Sequence, residues 1–340
     1  MTHHEAVALS LVSDLPRIGL TNRLRADDPE LLELASRTLE RAVTVRRQAQ
    51  AAGIGVLPWN DCQFPASLLA LPDAPPALWY RGDLGALRAP AVAVVGSRAA
   101  SAVALETAAR LGADLAAAGI TVVSGLARGV DSAAHRGALR AGRTIAVLGS
   151  GVDYIYPREH ASLADMIAVA GLILTEYPPG TAPLAFHFPM RNRLISGLSR
   201  AVVVVEASES SGSLITASCA LEQGRDVMAV PGNVLTGRNR GAHALIRDGA
   251  KIVESADDIV GELGWPPPVA RNCPGGANNG GATSSGDVLL RHMHAGQTYD
   301  LDALAEASGI DGVRLLSRLL ELELAGLVRR VEGGRFMRPA

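Results

Sequence analysis

The chain has 340 residues, 48% hydrophobic and 19% charged, a composition that fits a globular protein of two or three domains and excludes a disordered one. Its formal net charge is −2, so it has no general attraction for polyanions, and any nucleic-acid site must come from a local concentration of cations. No apolar run approaches the ~20 residues that cross a bilayer. The opening MTHHEAVALS has no basic segment leading into a long apolar stretch, so a cytoplasmic protein with no membrane partner is expected.

Residues 1–82 begin with helical periodicity, as in PELLELASRTLERAVTVRRQAQ, and continue into a proline-punctuated strap from Pro58 to Gly82 with no regular period. From residue 83 to 260 short apolar runs alternate with alanine-rich helical segments, the texture of repeated βα units. The runs are AVAVV (91–95), ITVV (120–123), TIAVL (144–148), LILTE (172–176), AVVVVEA (201–207), DVMAV (226–230) and KIVES (251–255). Strands without in-out alternation are buried on both faces, so this part is predicted to be α/β, a doubly wound, mostly parallel Rossmann-like sheet. Residues 261–285 lose apolar content and read as a flexible linker. Residues 286–340 give two helices and a Gly-Gly hairpin, the order of a winged helix, with Leu301 to Leu327 mostly core; Arg314, Arg318, Arg329, Arg330, Arg335 and Arg338 could form a phosphate-facing patch, though solvated arginines are the commoner case on a small domain.

Cys62, Cys219 and Cys273 are far apart and odd in number, so neither a disulfide framework nor a metal site is expected, and no cofactor is implied. Almost every basic residue is arginine; Lys251 is the only lysine.

Ligands of open parallel sheets sit beyond the carboxyl ends of the strands, which directs attention to the residues after each run. After the first comes Gly96-Ser97-Arg98, before a helix starting near Ser101, which offers amides and a positive dipole end to a phosphate. After the second comes Ser124-Gly125-Leu126-Ala127-Arg128-Gly129, small residues beside a guanidinium. The third loop, Gly149-Ser150-Gly151, lacks the last glycine of a dinucleotide fingerprint, and the first loop lacks the second, which argues against a dehydrogenase.

Phe186-His187-Phe188-Pro189-Met190-Arg191-Asn192-Arg193 opens a helix and brings aromatics to cations. Of twelve aromatic residues five (Tyr154, Tyr156, Tyr177, Phe186, Phe188) fall between 154 and 188; stacking together with phosphate contacts suits single strands. The alternating spacing puts one of Phe186 and Phe188 inward. Ser211, Gly212 and Ser213 form a further anion-type helix start. Glu206, Glu222 and the Asp131/His135 pair at i, i+4 could be cast as acid–base machinery, but each has a structural explanation and no catalytic residue is expected.

In order, GSR (96–98), SGLARGVDSAAHRGAL (124–139), FPMRNRLISGLS (188–199), VVVEASESSGSLITASCALEQGR (203–225), AVPG (229–232) and GAHALIRDGA (241–250) resemble the DprA (Smf) family of DNA-processing proteins, densely over about 58 to 260. The amino-terminal DLPRIGLTNRLR is similar to the small SAM or helix-hairpin-helix-like domain of many members, with Arg17 where that turn usually has glycine. The resemblance implies a non-enzymatic protein that binds and protects single-stranded DNA, loads the RecA recombinase in natural transformation or recombination, and forms a homodimer through the central domain. Carried over by motif, it places Gly96, Ser97, Arg98, Ser124, Gly125, Arg128, Phe188, Arg191, Asn192 and Arg193 at the DNA, with Ser211 to Ser213 framing the pocket. It also places His243, Leu245, Ile246 and Ile252 at the dimer interface, with the winged helix as an accessory.

Two rivals are a nucleotide-processing enzyme of the phosphoribohydrolase-like fold and a winged-helix DNA-binding regulator. The enzymes carry a PGGxGTxxE signature, and Ser211-Gly212-Ser213-Leu214-Ile215-Thr216 stands in its place with Glu222 the only acid shortly downstream.

Overall fold

In a computed structural model, the described residues are 1–12, 15, 19–265, 293, 298–308, 315, 319, 322, 323, 328–331 and 335–337. The chain divides into two compact units, Met1–Ala270 and Arg271–Ala340.

The first unit opens with helices whose starts are written locally. Helix α1 (His3–Ser10) begins on a capping box between Thr2 and Glu5. After α2 (Leu20–Arg25), helix α3 (Pro29–Ala51) begins with the Asp28 carboxylate accepting from the Glu30 and Leu31 amides, and with proline in the first turn where its missing N–H is harmless. Val7, Leu9, Leu20, Leu24 and Leu31 are buried together with Trp79, Leu148 and Ile173 of the sheet.

The sheet has nine strands in the order β1-β2-β6-β5-β4-β3-β7-β8-β9. All seven apolar runs form strands: β3 (Ala91–Val95), β4 (Thr121–Ser124), β5 (Thr144–Val147), β6 (Leu172–Thr175), β7 (Ala201–Val204), β8 (Asp226–Ala229) and β9 (Lys251–Ile252). Neighbours among these seven are parallel. Strands β3 to β7 are buried at every position, as continuous apolar runs require.

Two further strands join the sheet, one ending where the expected irregular strap begins and one at the far end of that strap. Residues Gly55–Pro58 form β1 and Ala77–Gly82 form β2, antiparallel to each other and, through β2, to β6. The first 82 residues are therefore continuous with the sheet rather than a body apart from it. Prolines 58, 65, 72, 75 and 76 break the local period, and α4 (Ala66–Leu69) interrupts the segment, so only pairing with β6 shows these residues to be strands. Trp79 fixes the join: it is fully buried, and its indole N–H donates to Ser10 Oγ at 3.3 Å.

Helices α5 (Ala102–Ala117) and α6 (Val130–Ala138) pack on one face of the sheet, and α8 (His187–Leu198) and α9 (Ser213–Glu222) on the other. Helix α7 (Ala161–Ala170), α10 (Arg240–Arg247) and α11 (Ala256–Glu262) complete the unit. The chain runs outward from β3 through β4 and β5 to β6, then returns to lay β7 on the other side of β3. That reversal opens a crevice at the carboxyl ends of β3 and β7.

The predicted linker begins inside α11, which extends to Glu262; residues 266–285 lie outside the described residues. In the second unit β10 (Thr298–Tyr299), β12 (Arg335–Met337) and β11 (Arg329–Val331) make an antiparallel sheet in that order, with α12 (Leu301–Ser308) following β10. Leu304, Leu315, Leu319, Leu322, Val328 and Phe336 are buried together, in keeping with the core reading of this stretch. Helix, buried leucines at helical spacing and hairpin follow in the order of a winged helix. Arg314, Arg318 and Arg338 fall outside the described residues.

Candidate nucleic-acid interface

The crevice holds a cavity of about 370 Å³ whose walls come from loops far apart in sequence. Gly96, Ser97 and Arg98 follow β3, Phe188, Arg191 and Asn192 belong to α8, and Ser211, Gly212 and Ser213 lead into α9. All nine are residues that the sequence marks for DNA, and the fold gathers them at one place.

The first loop is held by β7. The Ser97 amide donates to the Glu206 carbonyl at 2.7 Å, and the Glu206 carboxylate accepts from the Ser101 amide at 3.1 Å and from its hydroxyl at 2.6 Å. Ser101 in turn caps α5, accepting from Ala104 N. Glu206, one of the acids considered for acid–base work, is thus buried and engaged as a strut between the two loops of the crevice. Gly96 is required by close packing: a Cβ there would sit 2.6 Å from Val130 Cγ2 and 3.0 Å from the Glu206 carbonyl oxygen.

The floor is an Arg–Asp arrangement. Arg191 is 4% exposed, and its guanidinium donates to the carbonyl of Val147 at the end of β5. Burial, opposed by Asp131 and reinforced by Arg98, pulls the guanidinium down to about 10, so it remains a cation at neutral pH. Asp131 accepts from the Gly125 amide at 3.1 Å and the Ala127 amide at 3.3 Å, fixing the loop after β4. Burial raises its pKa, against Arg191 and the two amides. Asp131, considered with His135 for acid–base work, is instead a clamp on the loop, because the chain folds residues 125–127 back onto the start of α6. Gly125 belongs to the same arrangement, because a Cβ there would lie 2.1 Å from Arg191 Nη1.

The aromatic choice resolves in favour of Phe188, which lines the cavity with Arg98 Cζ 5.6 Å from its ring centroid. Phe186 is 63% exposed and meets His187 edge-on, 4.5 Å between centroids. Asn192 Nδ2 donates to the Gly212 carbonyl at 3.3 Å, joining α8 to the α9 loop.

Three predicted residues stand elsewhere. Ser124 is buried, its hydroxyl donating to Val94 O at 2.7 Å, so it stitches β4 to β3 instead of facing the cavity. Arg128 pairs with Glu159 in a two-pronged contact, Nε to Oε1 at 2.7 Å and Nη2 to Oε2 at 3.0 Å. Arg193 is buried between Asp73 (2.9 Å) and Glu176 (2.6 Å) and lines a separate cavity. The expected convergence of four arginines therefore holds for Arg98 and Arg191, while two carboxylates hold Arg193 and a third holds Arg128.

His135 is fully buried, its Nδ1 2.7 Å from Thr144 Oγ1, so it too is engaged within the core. Glu222 is exposed at the end of α9 and does not line the cavity. Of the residues marked for the dimer, Leu245 and Ile246 are partly buried against the core and His243 Nε2 lies 3.1 Å from Gly232 O, whereas Ile252 is 55% exposed on the edge strand β9. No described helix is long and apolar enough to cross a membrane, and no described group of three or more His, Cys, Asp or Glu could hold a metal ion.

These features define a doubly wound α/β protein with a cationic, aromatic-flanked crevice at its switch point, carried with a small winged-helix unit. A family profile described as DNA recombination-mediator protein A matches residues 55–264, and one described as DprA winged helix domain matches 282–334. The chain belongs to this DprA family. Protein Smf of Escherichia coli is 41% identical over 285 residues, covering 82% of this chain and 76% of that protein. DNA processing protein DprA of Streptococcus pneumoniae is 48% identical over 205 residues, covering 60% and 72%. The X-ray structure of the Streptococcus pneumoniae protein superposes with a TM-score of 0.66 at 37% identity, covering 77% of this chain and 98% of that one. A DNA processing protein A from Helicobacter pylori, described for its single-stranded DNA binding mode, superposes with a TM-score of 0.57 at 30% identity, covering 62% and 95%.

Proposed function

We propose that the chain binds single-stranded DNA in the crevice at the ends of β3 and β7. The observation that carries this reading is the meeting of Arg98, on the face of Phe188, with the buried Arg191 between two small-residue loops. Backbone amides and two cations suit a phosphate, and the aromatic beside them suits an unstacked base, which a duplex does not offer. The Helicobacter pylori relative, whose described property is single-strand binding, supports the same choice.

The role is binding rather than catalysis: Glu206 and Asp131 are occupied by amides and a hydroxyl, and the phosphoribohydrolase signature is missing from the α9 loop. Protection of the strand and loading of RecA, the formation of a homodimer through His243, Leu245, Ile246 and the exposed Ile252, and a cytoplasmic location belong to the same proposal and rest on family membership. Arg193 and Ser124 act as structural supports of the crevice in this reading.

A titration of labelled single-stranded and duplex DNA at two ionic strengths tests it. Tighter single-strand binding that weakens with salt is expected, and it should survive deletion of residues 286–340. Equal affinity for the two forms, or loss of binding on that deletion, overturns the crevice reading in favour of a winged-helix regulator; release of base from nucleoside monophosphates overturns it in favour of the enzyme.

A further inference from the structure

Beyond the crevice the surface carries a second set of groups of the same chemistry. The Phe188 ring that faces Arg98 also meets Tyr156, with 5.6 Å between centroids and 41° between planes. Tyr156 is 46% exposed, a large aromatic surface left open next to the ring that lines the cavity. Next to Tyr156 stand Arg128 and Glu159, side chains 59% and 53% exposed, locked in their two-pronged pair. This patch is firmly mounted: the buried His160 has Nδ1 2.9 Å from the carbonyl oxygen of Leu126, which ties the 156–160 segment to the loop bearing Arg128.

We propose that Tyr156 and Arg128 form an exit subsite for the nucleotide that follows the one seated in the crevice, with Glu159 occupying the guanidinium until a phosphate replaces it. The inference rests on the single-strand reading above. Physically, Tyr156 continues the stacking surface of Phe188, and every base has a π-face to lay on it. The Glu159 carboxylate presents two oxygens to the Arg128 fork as a phosphate does, so the strand and Glu159 compete for one donor set. An exposed pair of this kind contributes little to folding, which makes the exchange inexpensive.

The test uses the full chain and a series of labelled homothymidine strands lengthened one nucleotide at a time. Tyr156→Ala should leave the shortest bound strand unaffected and weaken longer ones about tenfold, with Tyr156→Phe restoring the lost affinity. Glu159→Gln should tighten the longer strands, because no carboxylate then competes with the phosphate for the Arg128 fork. It should not do so in an Arg128→Ala background, which separates exchange at Arg128 from the loss of a nearby negative charge. Equal weakening of all lengths by Tyr156→Ala, no weakening at all, or the same gain from Glu159→Gln with and without Arg128 overturns the exit subsite alone. A wild-type chain that holds no strand of any length overturns the crevice reading and this one together.

Discussion

Gly125→Ala isolates the seat of Arg191 without removing any charge. Gly125 has no positive φ to preserve, so an alanine backbone is tolerated, and the effect comes from one methyl group. The three atoms nearest to that methyl all belong to the Arg191 guanidinium, at 2.1, 2.5 and 2.6 Å. Contacts so short force the guanidinium off its carbonyl acceptor at Val147, and crowding of this kind in a packed interior costs about 1–3 kcal/mol. Two measurements read it: urea unfolding, and the salt dependence of single-strand binding, where loss of the cation from the cavity floor lowers the slope by about 0.7 unit. In an Arg191→Ala background the methyl no longer meets the guanidinium, so the same substitution should be close to neutral. The resulting coupling between the two positions is expected at about 1–3 kcal/mol, within the ~0.5–3 kcal/mol found for residues in direct contact. If Gly125→Ala costs as much without Arg191 as with it, or leaves the salt slope of the otherwise wild-type chain unchanged, the glycine is not there to seat the arginine and this account of the cavity floor fails.

His135 gives a pH prediction. Burial, helped by Arg191, His160 and Arg136, pushes it from 6.5 down to about 3, so the folded state holds it neutral while the unfolded chain protonates. Its contribution to stability is therefore lost as pH falls from 6.5 towards 3, at up to about 1.4 kcal/mol per pH unit, and urea unfolding of His135→Gln should lack that component; parallel pH profiles would contradict the assignment. Glu206→Ala, which removes the strut between the β3 and β7 loops, should cost about 1.5–3 kcal/mol and weaken single-strand binding while leaving its salt slope intact, because no cation is lost; a flatter slope in the titration would count against the strut role. Ile252→Glu places a charge on the exposed edge strand and should shift sedimentation from dimer to monomer, and a variant that still sediments as a dimer removes that residue from the interface.

The strands β3 to β7 and the loops that follow them were legible in the sequence because their cause is local. A strand covered on both faces must be apolar along its length, and a loop that approaches a ligand must be small, so AVAVV followed by GSR announces both. The same holds for Ser101 as the cap of α5 and for the family pattern along residues 58–260. The partners of charged and aromatic side chains are not local, and these only the tertiary structure decided. Arg191 and Arg193 are two residues apart on α8, which turns them about 200° from one another, so one points into the crevice while the other is taken by Asp73 and Glu176, distant in sequence. Arg128 meets Glu159, and Tyr156 meets Phe188, for the same reason. Strands β1 and β2 needed the edge of β6 to become strands at all. Backbone pattern is set by each segment's own burial, whereas the direction and freedom of a guanidinium depend on which carboxylate the completed fold brings beside it.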